Sequence, residues 1–253
     1  MKSPVLAALA ALTLSASALG AQTAVDHRAL GDRDRAAMNL AGALAHYEAA
    51  VAADSNDYES LWKAAHEAVD LGEFSPKEQR TALYQRAERL ARRAVAVRPD
   101  DAEGHYVLSR ALGRTAQTLG AREKVKYATA VRQAAMEALR LNPKHDGAMH
   151  VMGVWNAEIM RLSGFSRMMA KNLLGGKVFA EASWENAQRY MEQSVAARPD
   201  RLTHHLDLAR IYRDRDMKDQ ARASYQAVVN GAATEPNDGH YKDVAARELR
   251  ALD

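Results

Sequence analysis

The sequence predicts an all-α protein built as a superhelix of stacked helical hairpins, and three observations carry that prediction. Apolar residues recur three and four apart along nearly the whole chain, and few segments alternate with the two-residue period of a strand. Ala, Leu, Arg and Glu are common, whereas only six of the 253 residues are Pro. The chain also repeats itself: AERLARRAVAVRPDDAEGHYVLSRAL, RQAAMEALRLNPKHDGAMHVMGVWNA and AQRYMEQSVAARPDRLTHHLDLARIY align with one another. A fourth stretch, AGALAHYEAAVAADSNDYESLWKAAHEA, fits with Ser55 in place of Pro99, Pro143 and Pro199.

Taken from the N-terminus, residues 1–21 have one early positive charge at Lys2, an apolar run from Val5 to Leu14 and then small residues. That is the layout of a secretory signal peptide. The run is too short and too rich in Ala, Ser and Thr for a stable transmembrane span. An exported protein, periplasmic or secreted, is therefore expected, with lipid attachment of the lipoprotein type excluded because there is no Cys. The same absence rules out disulfides and thiolate metal sites. Residues 22–32 are expected to be a flexible lead-in to a repeat domain over 33–253.

Within that domain each repeat reads as a helix, a turn at the proline and a second helix. Proline suits the turn because it lacks an N–H and disfavours helix in the residue before it. Small or apolar residues recur at matching offsets before each turn: Ala43, Tyr47 and Ala50; Ala87, Ala91 and Ala94; Val131, Ala135 and Ala138; Ala187, Met191 and Ser194; Ala221, Tyr225 and Val228. Such positions let neighbouring helices approach closely. The pattern resembles the tetratricopeptide repeat (TPR), whose unit of about 34 residues pairs two antiparallel helices. Here Ser55 to Pro99 and Pro99 to Pro143 each span 44 residues, and Pro143 to Pro199 spans 56. The surplus predicts longer helices or an added element, and it is largest in an insert at 160–183. About four repeats and a C-terminal capping helix over about 239–253 complete the array.

The insert carries the most distinctive residues. In NPKHDGAMHVMGVWNAEIMRLSGFSRMMAKNLLGG, the series Pro143, His150, Gly153, Trp155, Leu162, Ser163, Arg167 and Ala170 resembles the signature of the regulator of microtubule dynamics family. The resemblance implies a TPR-like solenoid without catalytic machinery. It also implies association with microtubules, as in animal members, some of which bind phospholipids or tether organelles. The leader marks this chain as an exported bacterial relative, which points away from a microtubule partner. Read from its residues alone, the insert is an amphipathic helix capped by Ser166 and ended by Gly175 and Gly176, with Phe165, Met168, Met169 and Leu173 on one face. Two roles stand open for it: packing that fills the enlarged repeat, or a lid or membrane-surface contact. Trp155 is expected in the core, with a ligand pocket beside His150 as the other reading.

Chemistry is harder to find. Nine histidines invite a metal search, but His204 and His205 are adjacent, His145 and His150 are poorly spaced, and there is no HExxH. No phosphate loop, GxSxG or glycine-rich dinucleotide turn is present. The formal charge is only +3 with acidic and basic residues interspersed, so nucleic acid is not an expected partner. No cofactor, metal or catalytic residue is expected. A binding role is better founded. In TPR arrays the first helix of each repeat lines the concave face, and the resemblance carries that face onto Glu59, Trp62 and His66; Tyr106, Arg110 and Arg114; His150, Val154 and Glu158; Leu206, Arg210 and Arg213. Four arginines beside Trp62 and Tyr106 suit carboxylate, phosphate or an acidic peptide, because guanidinium forks such groups bidentately. The opposing reading is that they pair with Glu59, Glu158 or Asp214 as a solvated face. A protein or peptide partner is expected, with an anionic phospholipid or other amphipathic ligand as the alternative.

Overall fold

A computed structural model describes residues 23–164 and 178–252. Among the described residues all regular structure is helical, and the chain forms two compact units that divide after Arg98. The signal-peptide reading falls outside the described residues, as does most of the insert with Arg167 and Ala170.

The first unit holds α1 (23–36), α2 (Leu40–Ala53), α3 (Tyr58–Phe74) and α4 (Lys77–Val97). Its helix starts are written locally. The Asn39 side chain accepts from the Gly42 amide at α2, and that of Asp57 from the Ser60 amide at α3. Pro76 precedes α4, where its missing N–H costs nothing. The segment expected to be a flexible lead-in, 22–32, is instead helical from residue 23. It is held down by Ala24, which is buried, and by Gly31, whose missing side chain admits the Tyr47 ring. Arg28 reaches Asp57 at 2.7 Å, and Arg35 reaches Glu67 at 2.9 Å and Asp70 at 3.0 Å. α1 thus adds one helix ahead of the expected repeats, packed on α2 where the Tyr47 ring meets Gly31.

The second unit holds α5 (Ala102–Gln117), α6 (Ala121–Leu141), α7 (Asp146–Arg161), a 3-10 turn (Val178–Glu181), α8 (Trp184–Ala197), α9 (Leu202–Asp214), α10 (Lys218–Asn230) and α11 (Asp238–Arg250). The hairpin pairs are α5 with α6, α7 with α8 and α9 with α10, and α11 closes against α9 and α10. The residues at repeating offsets, from Ala43 to Val228, are all buried in the two units. The 44-residue spacings resolve into longer helices: α4 and α6 are each 21 residues, against 13 or 14 for α2, α8 and α10.

The described edges of the insert are tied to the core. Trp155 is buried, donates from its indole nitrogen to the Ala128 carbonyl at 2.7 Å and stacks on Phe179 with ring centroids 6.1 Å apart. Asn156, also buried, accepts from the Ser183 amide at 3.2 Å and donates to the Met152 carbonyl, pinning the chain as it returns into α8. Gly153 lets α8 press against α7, since a Cβ there would lie 2.9 Å from the Met191 terminal methyl. Leu162 and Ser163 are exposed where α7 ends.

Candidate functional site on the first helices

The expected binding residues divide between the units. Trp62 and His66 lie on α3 in the first, and the remainder lie on α5, α7 and α9 in the second. On α3, Trp62 is half-buried with the Lys63 ammonium 5.8 Å from its ring centroid. The His66 Nδ1 lies 3.4 Å from Asp70 and 3.6 Å from Glu67, the two buried carboxylates that also hold Arg35. His66 therefore belongs to the clasp between α1 and α3. Glu59 is half-exposed and takes the Arg28 guanidinium at 3.3 Å.

In the second unit Tyr106 does not line a groove. It is buried, its ring rests over Gly147 and 4.6 Å from the His145 ring, and it joins α5 to the start of α7. His145 caps that helix: its Nδ1 accepts from the Ala148 amide, which leaves the proton on Nε2, 3.2 Å from Glu103. Arg110 lies 5.9 Å from the Tyr106 ring centroid, and Arg114 is half-buried one turn further along α5. Leu206 is a core residue as well, 2% exposed, because its side of α9 faces α10 and α11. Val154 is partly buried and packs against the core cluster that includes Ala157, Met191 and Leu208.

His150, Arg210 and Arg213 do come together, through carboxylates that the sequence did not single out. The His150 Nε2–H donates to Asp207 at 2.9 Å, and Arg210 joins Asp207 at 3.0 Å to Glu248 of α11 at 2.6 Å. Glu248 also accepts from the Tyr225 hydroxyl at 2.8 Å and faces Arg213 at 3.4 Å. Arg213 pairs with Asp214, which holds Arg161 at 2.7 Å, and Arg161 holds Glu158 at 2.6 Å. A ladder of alternating charge thus crosses α7, α9 and α11. The pairing reading of Arg213, through Asp214, is correct, whereas Arg210 uses Asp207 and Glu248.

These pairs set protonation. Burial alone would raise Asp207, but the His150 hydrogen bond and the Arg210 charge outweigh it and hold the carboxyl well below its usual range. Glu248 is likewise pushed up by burial and brought below its usual value by Arg210, Tyr225 and Arg213. Arg210 loses by burial but gains more from Glu248 and Asp207, so its charge is locked. Beneath the ladder His204 is 2% exposed and stacks on His150 with centroids 4.9 Å apart. The Ser194 hydroxyl donates to the Asp146 carbonyl and accepts from His204 Nδ1 at 3.0 Å. Burial, with the charges of His150 and Arg201, pushes His204 far below the usual imidazole value and keeps it neutral. Among the described residues no cluster of three or more His, Asp or Glu is arranged to hold a metal.

The profile of the family described as "Regulator of microtubule dynamics protein 1-3" matches residues 24–253. The chain belongs to this family. Regulator of microtubule dynamics protein 1 of Mus musculus is 24% identical over 149 residues, covering 58% of this chain and 48% of its own length. The Bos taurus protein is 26% identical over 134 residues, covering 51% and 42%. The chain therefore spans about half the length of the curated relatives it matches. Among solved structures, a thermophilic TPR protein of Thermus thermophilus superposes with a TM-score of 0.65 at 23% identity, covering 90% of this chain and 99% of that one. Pseudomonas aeruginosa PilF gives 0.53 at 15% identity, covering 91% and 87%. These likenesses establish the TPR-like fold of this member of the regulator of microtubule dynamics family.

Proposed function

We propose that this family member is a non-enzymatic scaffold that holds a protein or peptide partner against the first helices of its second unit. The observation that carries this reading is the ladder over α7, α9 and α11, where His150, Asp207, Arg210, Glu248, Arg213, Asp214 and Arg161 alternate in sign and fix one another. Charges held in place before binding favour a partner of matching pattern and penalise others, which gives specificity more than raw affinity. With Arg210 and Arg213 already neutralised, the face suits a segment of mixed charge rather than a bare anion. Arg110 and Arg114 on α5 add guanidinium N–H donors for carbonyl or carboxylate groups.

Site-specific photo-crosslinking in cells tests this. A benzophenone side chain placed at Glu158 or Arg213 is expected to trap the same protein partner, while one at the exposed Gln226 of α10 traps none. Crosslinks that are equally frequent at all three positions would overturn the reading. Co-purifying phospholipid detected by native mass spectrometry and lost in Arg110→Glu, with no protein crosslink, would replace the scaffold with a lipid carrier.

A further inference from the structure

The chain is close to neutral as a whole, with a formal charge of +3, but residues 77–98 hold seven Arg and Lys against two Glu. They form α4, the second helix of its hairpin, and the residue after it. Tyr84, Ala87, Leu90, Ala91 and Ala94 turn into the core of the first unit. Arg86, Arg89, Arg92 and Arg93 are left exposed. At three- and four-residue spacing they share one side of the helix and repel one another, at a cost to the helix.

Three of these side chains are tethered at one edge. Arg86 pairs with Glu48 of α2, Arg92 with Glu88 at 2.8 Å, and Arg93 donates to the Ser55 carbonyl at 2.8 Å. A planar guanidinium held by one edge still directs its remaining N–H groups outward in a fixed fork. Between them, Arg89 has no ion-pair partner among the described residues. Helical turns succeed each other every 5.4 Å or so, and alternate side chains of an extended strand about 6.7 Å apart. An extended chain laid along α4 with an acid at every second residue therefore brings about one carboxylate to each turn.

We propose that the solvent face of α4 is a docking surface for an extended acidic segment of a partner protein, bound through Arg86, Arg89, Arg92 and Arg93. This surface is separate from the first helices and does not depend on the reading given for them. Its chemistry selects spaced carboxylates over other polyanions. The large exposed apolar residues of α3 and α4, Phe74 and Val97, are the last residues of those helices and lie outside the row, so no apolar wedge on it faces a bilayer. The aromatic residue of α4, Tyr84, is buried, so no ring is offered for nucleobases to stack on. Glu48 of α2 and Glu88 offset two of the four arginines, which leaves the row suited to a few spaced carboxylates rather than a dense, uniform run of phosphates.

The test uses the whole chain and a fluorescein-labelled dodecapeptide of alternating Glu and Ser, followed by anisotropy. Binding is expected at 50 mM NaCl, weakening about tenfold by 150 mM as screening shortens the reach of the charges. Arg89→Glu, an exposed position that leaves the fold's ion pairs intact, is expected to weaken binding about tenfold, and Arg89→Glu with Arg92→Glu more. Lys218→Glu on α10 changes nothing. Circular dichroism and the urea midpoint confirm that Arg89→Glu is folded. No binding at 50 mM NaCl, or binding indifferent to Arg89→Glu, overturns the proposal. So does Arg89-dependent binding of phosphatidylglycerol vesicles or of oligo-dT where the acidic peptide fails. Crosslinking from α7 and α9 reads a different surface, so either proposal can fail alone.

Discussion

Tyr106 lies in the core because Gly147 has no side chain. A Cβ at Gly147 would stand 2.4 Å from the ring Cζ, so Gly147→Ala has to displace the ring or spread α5 from α7. Overpacking of this kind costs about 1–3 kcal/mol, read as a lower urea midpoint. Tyr106→Phe gives little relief, because the clash involves ring carbons, whereas Tyr106→Leu relieves part of it and the two changes are non-additive. Met38 presents the opposite case. It turns the chain between α1 and α2 with φ of 62°, and its side chain is 46% exposed. Left-handed backbone strains a side-chain-bearing residue by about 1–2 kcal/mol, and Gly gives back about half of the relief through its looser unfolded state. Met38→Gly is therefore expected to raise the midpoint slightly, by up to about 1 kcal/mol in stability.

Among the elements, α1 depends most on charge. Its Arg35 is the main counter-ion of Glu67 and Asp70, which are 3% and 5% exposed. Removing one partner leaves buried carboxylates uncompensated, at a cost of about 3 kcal/mol. Arg35→Ala is thus expected to lower the melting temperature and loosen α1, seen as faster amide exchange over residues 23–36, while Arg33→Ala on the exposed side does neither. The same helix shows where the sequence was opaque. The helix has little apolar periodicity and contains Gly31, so its first part, within 22–32, reads as a flexible lead-in. In the fold its charges meet α3, from 29 to 35 residues away, and its glycine receives Tyr47. The later hairpins were legible because Ala and Val at fixed offsets record local, repeated packing. The placement of His150, Arg210 and Arg213 was legible on the same basis. Glu248 was not, because it lies 38 residues from Arg210 and nothing local marks the pair. Tyr106 and Leu206 were misplaced because a position on a first helix does not by itself decide which side faces solvent.

For the whole molecule, the buried imidazole and the ladder above it tie stability to acidity. His204 has a folded value far below the usual imidazole value of about 6.5, so below that pH the unfolded chain takes up a proton that the native state refuses. Stability is complete above about pH 6.5 and falls as pH drops, by about 2 kcal/mol between pH 6.5 and 5 from this one group. Asp207 and Glu248 act in the same direction but later. Their folded values are depressed, so their contribution is present above about pH 4 and is lost as pH falls through the folded values. Glu48 opposes them weakly, since burial outweighs its pairing with Arg86 and raises it. Urea titrations at half-unit steps from pH 8 to 2 separate these windows. In His204→Asn, which is small enough for the site and keeps a donor for Ser194, the decline between pH 6.5 and 5 is expected to vanish while the fall below pH 4 remains. An unchanged decline in that variant would place the acid sensitivity elsewhere and remove His204 from the account. If the ladder also recognises the partner, crosslinking from Glu158 and Arg213 persists at pH 5.5 while global stability drops, because the carboxylates that fix Arg210 and Arg213 remain ionised there.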